Sequence, residues 1–131
     1  MLSEAVFENE TTHGSATVNK KNQTGGNVSD TEFAVMKVSE EGIFTADDIN
    51  TIINDASMKT HMVSKKTDSN GQAVFDNLTI FKDGQGEFTK TNGNNGNVEW
   101  SKSSDNYISG TSTYQTYCLF EYKPSDGYTP N

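Results

Sequence analysis

The stretch from Tyr117 to Tyr128 constrains the fold of this chain more than any other segment. Its first half is dense in aromatic and branched side chains, as β-strands are, and its second half is a turn with Pro and Gly. Tyr117, Leu119 and Glu121 have the same parity, so their side chains are predicted to share one strand face. If that face lines a core, Glu121 is buried with it and needs a partner, because a buried carboxyl group is costly unless protonated or paired. The alternative is an exposed strand face.

The composition narrows the class of protein. Acidic residues outnumber basic ones by 18 to 10, for a net charge of −8, which argues against nucleic-acid binding. A hydrophobic fraction of 31%, with abundant Gly, Asn, Ser and Thr, predicts thin β layers joined by polar loops. No apolar run approaches the roughly 20 residues that span a bilayer, so no membrane insertion is expected. Cys118 is the only cysteine, which excludes an internal disulfide.

Alternating segments predict further strands. Ala16, Val18 and Lys20 share a parity, which places a lysine on the inward face of a strand over residues 15–20. Residues 33–38 alternate with apolar side chains on both parities, and 60–64 and 72–75 are also predicted to be extended on either side of an Asn-Gly turn.

A short helix is predicted over residues 46–57. Thr45 and Asp48 have the spacing of a capping box, with Asp in place of the usual Glu. From Ile49 to Ala56 the apolar residues recur at i, i+3, i+4 and i+7, which is typical of an amphipathic helix.

Four segments in order match one family pattern. A strand ends in Lys (15–20), and a second strand carries Phe and Lys-Val (31–38). A Thr-Asp-x-x-Gly turn leads to Phe and Leu (67–78), and an apolar-x-Glu strand runs into Gly-Tyr (119–128). The sequence resembles a Cna-B-type (SpaA-like, prealbumin-like) domain of Gram-positive pilins and surface adhesins. In this chain the proline before Gly-Tyr is displaced by one position from that pattern.

The resemblance implies a Cna-B/transthyretin-like β-sandwich with one short inserted helix and a long loop or hairpin insert at 79–112. It also implies an intramolecular isopeptide bond, with Lys20 as the nucleophile and Glu121 as the assisting acid. Desolvation would leave a neutral amine, a protonated Glu121 would polarise the acceptor amide, and ammonia would leave if the acceptor is Asn. The chain would then be no enzyme beyond this single intramolecular turnover.

The acceptor stays open. Such domains carry it on a last strand after Gly-Tyr, but only three residues follow Tyr128, which makes Asn131 a weak candidate. Asn9 is the other. Residues 1–13 are read as the last strand of a preceding domain or an N-terminal extension, and 14–131 as the Cna-B-like domain, short of its own last strand. A bolder version lets the Asn9 strand fill the empty place by strand complementation.

Lys20 and Trp100 also have simpler interpretations. Lys20 has an adjacent rival in Lys21 and could be a solvated lysine at a strand end. Trp100, in the insert, is either a ligand-stacking aromatic on an exposed excursion or part of a hairpin that covers a sheet edge. No His, Cys and acidic residues have metal-ligand spacing, so neither a metal nor a cofactor is expected.

The expected function is therefore a structural stalk module of a pilin or adhesin, outside the cell, in the cell wall or pilus of a Gram-positive bacterium. Its partners would be neighbouring domains of the same surface protein and host extracellular matrix or glycan. The alternative is an adhesin domain that recognises a host glycan or protein through the 79–112 insert, with Trp100 as its contact residue.

Overall fold

The computed structural model describes residues 3–9, 13–39, 44–90, 98–102, 107 and 113–123, with side chains from residue 13 onward. The described chain is mainly β, with two short helices. In chain order the elements are β1 (Ser3–Asn9), β2 (His13–Lys20), β3 (Glu32–Val38), α1 (Ala46–Ile53), α2 (Ala56–Lys59), β4 (Val63–Lys66), β5 (Gln72–Thr79), β6 (Glu87–Lys90), β7 (Val98–Ser101) and β8 (Thr116–Lys123).

The strands form two sheets. The first has the order β1-β2-β5, and both of its pairings are antiparallel. The second has the order β4-β3-β6-β7, with β8 also pairing with β3. In this second sheet β3 and β6 are parallel, whereas β6 and β7 form an antiparallel hairpin. The strands expected at 15–20, 33–38 and 72–75 are thus present, and the strand expected at 60–64 lies at Val63–Lys66 instead.

The chain divides into two compact units. One comprises Met1–Val35, Ser64–Ile80 and Leu119–Asn131, and the other Met36–Val63 and Phe81–Cys118. Each unit has its own buried apolar residues. In the first they are Ala16, Val18, Val28, Phe33, Ala34, Val35, Ala73 and Phe75. In the second they are Met36, Val38, Ile52, Phe88 and Val98.

The predicted helix is broken in two. Thr45 and Asp48 form the expected capping box at the start of α1, with each side chain accepting from the other residue's backbone N–H. The helix ends at Ile53, so the prediction of one helix to residue 57 was wrong. Asp55 is extended, and its carboxylate accepts from the N–H groups of Ser57 and Met58, which starts α2. Because Asp55 is the extended N-cap residue of α2, it cannot also continue α1.

The 79–112 insert contains a hairpin. Its strands β6 and β7 pair with Phe88 opposite Trp100. The insert has too few apolar residues for its sequence to predict a strand. Even so, β6 and β7 form, because their backbones pair with each other. Residues 91–97, 103–106 and 108–112 of the insert lie outside the described part of the chain.

The N-terminal segment joins the first sheet. β1 pairs with β2 along its whole length, from Ser3 opposite Lys20 to Asn9 opposite Gly14. The antiparallel direction is the one that a short connection after Asn9 requires. The turn after β8, with its Pro, Gly and Tyr, lies outside the described residues, as does Asn131.

Candidate functional site

Lys20 is held at the buried end of β2. Ala16, Val18 and Lys20 are all buried, as their shared parity predicted, and Lys20 is only 6% exposed. Its backbone is fixed on both sides, because its N–H donates to the carbonyl of Gly71 (2.7 Å) and its carbonyl accepts from the N–H of Val28 (3.1 Å). The lysine backbone therefore has little freedom, and its side chain enters the unit from a fixed point.

Gly71 allows this close approach. Its φ is +75°, and a Cβ built there would lie 2.6 Å from the backbone oxygen of Lys20. A side chain would therefore suffer both an unfavourable backbone conformation and a clash. The preceding Asp68 closes the turn, since its carboxylate accepts from the N–H groups of Asn70 and Gln72 (2.8 and 3.1 Å). The Thr-Asp-x-x-Gly motif thus shapes the backbone around Lys20.

Thr67, the first residue of that motif, fixes the loop after Lys20. Its hydroxyl is buried, donates to the carbonyl of Val28 (2.7 Å) and accepts from the N–H of Thr31 (3.0 Å). Buried backbone groups of the loop are satisfied in this way. The loop residue Lys21, the rival candidate for nucleophile, is exposed and donates to the side chain of Asn27 (2.7 Å).

Glu121 meets Lys20 in the same unit. The Lys20 Nζ lies 3.1 Å from Oε1 of Glu121, and the two side chains are 7% and 1% exposed. The contact is an ion pair without hydrogen-bond alignment, since neither buried carboxylate oxygen of Glu121 has a hydrogen-bond partner. A pair this buried lacks the additional hydrogen bonds that normally offset the desolvation of two charges.

The two acceptor candidates are not assembled with this pair. In the register of β1 and β2, Asn9 lies opposite Gly14, at the far end of β2 from Lys20. Six residue steps of strand at about 3.3 Å each separate those positions, so Asn9 does not lie beside Lys20 in the same chain. Asn131 lies outside the described residues.

A second buried lysine–glutamate contact lies in the other unit, and sequence reasoning missed it. Lys82 contacts Oε2 of Glu87, with side chains 7% and 0% exposed. The side-chain amide of Gln115 donates to the same Oε2 (2.8 Å). Glu87 lies in a polar, Gly-rich run without alternation, so no sequence pattern marked it as buried. The available signal was Gln115, a polar residue just before the most apolar strand.

Two further lysine–carboxylate pairs serve as references in this second unit. Lys90 lies 2.9 Å from Asp48, and Lys37 lies 2.9 Å from Asp83. Burial raises the pKa of Asp48, but hydrogen bonds from Thr45 and Lys90 outweigh it, so that the pKa is lowered overall. Burial likewise raises the pKa of Asp83, and the hydrogen bond from Lys37 with other donors lowers it overall. Both aspartates are therefore ordinary ionised partners.

The Trp100 side chain packs against other residues of its own unit. Its ring stacks on that of His61, with centroids 3.5 Å apart and planes 3° from parallel. A Cβ at Gly86 would lie 2.2 Å from the Trp100 ring, so the indole rests against that backbone. Of the two readings of Trp100, this environment agrees with the hairpin residue that packs within its own unit.

The described residues offer few other reactive or metal-binding groups. Cys118 is a free thiol whose pKa is raised by burial, which lowers its reactivity at neutral pH. No group of three His, Cys, Asp or Glu side chains within the described ranges could hold a metal ion. Among the described helices, none has the length and apolar character needed to cross a bilayer.

Comparisons with protein-family models, with curated proteins and with solved structures found no match for this chain.

Proposed function

We propose that this chain is a structural stalk module of a bacterial surface protein, with a Cna-B-like β-sandwich fold of the kind stabilised by a Lys–Asn isopeptide bond. The observation that carries the proposal is the buried contact between Lys20 and Glu121. The sequence pattern had named these two residues as the nucleophile and the assisting acid, from segments about 100 residues apart.

The chemistry of the pair supports this function. A lysine amine attacks a carboxamide only when it is neutral, and a carboxyl group assists only when it can supply a proton. Lys20 and Glu121 meet away from water, and both carboxylate oxygens of Glu121 lack a hydrogen-bond partner. The amide product is neutral, so the bond would also remove the cost of two buried charges. A single cysteine leaves the chain no disulfide that could serve the same purpose.

In this proposal the module transmits mechanical load and has no substrate. It would lie in the cell wall or pilus of a Gram-positive bacterium, beside neighbouring domains of the same protein. Its acceptor is an Asn outside the described residues, either Asn131 or a residue supplied by the adjoining part of the surface protein. The family pattern, which places the acceptor on a strand after Gly-Tyr, motivates this assignment.

The test is intact-mass measurement under denaturing conditions on the protein as it is naturally made, compared with its Glu121→Ala variant. The wild type should be lighter than its sequence by one ammonia that depends on both Lys20 and Glu121. The Glu121→Ala and Lys20→Arg variants should regain that mass, and Lys21→Arg should not. Equal deficits in the wild type and in Lys20→Arg would contradict the proposal.

The second candidate function is host recognition through the 79–112 insert. Trp100 would be its contact residue, and the His61 stack leaves at most one indole face for a ligand. Binding of glycans or matrix proteins that survives Trp100→Ala would exclude the form centred on this residue. We therefore place the stalk function first.

A further inference from the structure

Two buried side chains converge on one carboxylate oxygen of a third in the second unit. Lys82 and the Gln115 amide nitrogen both contact Oε2 of Glu87. Glu87 is fully buried and Gln115 is 8% exposed. A backbone hydrogen bond keeps Lys82 close to the segment that carries Gln115. The N–H of Lys82 donates to the carbonyl of Thr113 (2.7 Å), two residues before Gln115.

The hydrogen bonding of the cluster is incomplete. The Gln115 amide nitrogen has two N–H groups but faces three acceptors, which are Oε2 of Glu87 at 2.8 Å, the carbonyl of Thr116 at 3.0 Å and the carbonyl of Val38 at 3.5 Å. In contrast, Oε1 of Gln115 and Oε1 of Glu87 are both buried and have no hydrogen-bond partner. Two orphaned acceptors in one buried site are unfavourable, since each has lost its hydration without compensation.

We propose that Lys82 and Gln115 form an intramolecular amide bond, with Glu87 as the acid that assists it. The site is independent of the Lys20–Glu121 pair, and it uses Gln where that pair requires Asn. An amine, a primary amide and a carboxyl group are the complete set of reactants for this transamidation, and no external reagent is needed.

The reaction balances within the cluster. The ammonium group of Lys82 passes a proton to Glu87, which leaves a neutral amine and a carboxylic acid. The amine nitrogen attacks Cδ of Gln115 and forms the new C–N bond. Glu87 protonates Nε2 of Gln115 and takes a proton from the attacking nitrogen, the old C–N bond breaks, and ammonia leaves. The products are a secondary amide, a protonated Glu87 and one ammonia.

The product resolves the hydrogen-bonding deficit. A protonated Glu87 is a donor, and the new amide keeps the Gln115 carbonyl oxygen as an acceptor beside it. The buried ion pair is replaced by neutral groups, which removes the cost of desolvating two charges. The bond would close a loop that runs from Lys82 through the β6–β7 hairpin to Gln115.

Peptide mapping of the denatured wild-type chain tests the proposal directly. Trypsin does not cut after an amidated lysine, so the expected product is a branched peptide that joins residues 67–90 to residues 103–131. Its mass should be lower by one ammonia than the sum of its two parts. Cleavage after Lys82, with residues 67–82, 83–90 and 103–131 recovered as linear peptides at full mass, would overturn the proposal. This measurement uses the unmodified protein and does not depend on whether a variant folds.

Variants then test the roles of the three residues. Lys82→Arg and Gln115→Ala should each abolish the branched peptide, and Glu87→Gln should slow its appearance after synthesis. The matched control is Lys90→Arg, because Lys90 is also a buried lysine beside a carboxylate, and this change should leave the branched peptide intact. A branched peptide that persists in Gln115→Ala, or forms at an unchanged rate in Glu87→Gln, would overturn the corresponding assignment. Lys20→Arg should leave this peptide unchanged, so failure here is distinguishable from failure of the stalk proposal.

Discussion

The two buried lysine–glutamate contacts of this chain differ in what else reaches the carboxylate. Around Glu121 the described residues supply Lys20 alone, and both carboxylate oxygens lack hydrogen bonds. Around Glu87 they supply Lys82 and also the Gln115 amide. The same acid–amine pair is therefore incomplete in one unit and has a built-in acceptor in the other. Whether such an amine–acid pair can form an amide depends on a third group, the acceptor, as much as on the pair itself.

The largest expected effect comes from removing one partner of the incomplete pair. Glu121→Ala leaves the Lys20 amine buried without its carboxylate, and we expect a loss of about 3–5 kcal/mol in the free energy of unfolding. Urea unfolding of the 131-residue chain measures it. Measured against a preparation whose intact mass shows no isopeptide bond at Lys20, the double variant Lys20→Met with Glu121→Leu should recover most of the loss, since it removes both polar groups. A double variant as unstable as the single one would show that the pair itself stabilises the unit.

The next largest loss in the free energy of unfolding is expected when the proposed amide bond between Lys82 and Gln115 is removed. Gln115→Ala removes the acceptor and opens the closed loop, and a loop of this length is worth about 3–4 kcal/mol if amides act as disulfides do. Lys82→Arg should lose a similar amount, although it keeps the charge beside Glu87. Chemical denaturation of both variants against wild type checks this. Wild-type stability in Lys82→Arg would show that no covalent constraint exists there.

A smaller effect is expected from the backbone that positions Lys20. Gly71→Ala combines a positive φ with a Cβ 2.6 Å from the Lys20 carbonyl oxygen, whereas Gly25→Ala has a positive φ and open space. The left-handed conformation alone costs about 1–2 kcal/mol, so Gly25→Ala should lose that much and Gly71→Ala clearly more. Thermal unfolding of the two variants isolates the crowding at Lys20. Equal losses would mean that the turn relaxes away from the lysine.

The smallest effect should come from the reference pair of Lys90 and Asp48. The pKa of Asp48 is lowered below 3.8 in the folded chain, so its contribution is present above that value and is lost as the pH falls through the lowered folded-state pKa. Asp48→Asn should therefore cost about 1 kcal/mol at neutral pH, mainly through the lost cap and the contact with Lys90. The difference from wild type should vanish in strong acid. Unfolding measured as a function of pH checks the sign, and a difference that grows on acidification would contradict it.

The sequence predicted the first pair but not the second, and the reason is physical. Strand parity with Ala16 and Val18 marked Lys20 as inward, and the alternation before a Pro/Gly turn did the same for Glu121. Both signals exist because long strands repeat with period 2. Glu87 lies in a four-residue strand within a polar run, where backbone pairing decides burial and no pattern is long enough to read.

The helix prediction failed at one acid for a similar reason. The apolar spacing from Ile49 onward favoured a helix to residue 57, and α1 does use that stripe, with Ile52 fully buried. Asp55, however, bonds to the backbone ahead of it and starts a new helix. Whether Asp55 continues one helix or caps a new one depends on its local hydrogen bonds. The spacing of the apolar residues carries no information about these bonds.

The most direct test of the central claim is the chemical state of Lys20 in the protein as it is naturally made. Tryptic mapping after denaturation should find Lys20 in a branched peptide, uncut at its carboxyl side and lighter by one ammonia, with an Asn on the other branch. Lys21 in the same protein should be an ordinary cleavage site. A linear peptide that ends at an unmodified Lys20 would contradict the account.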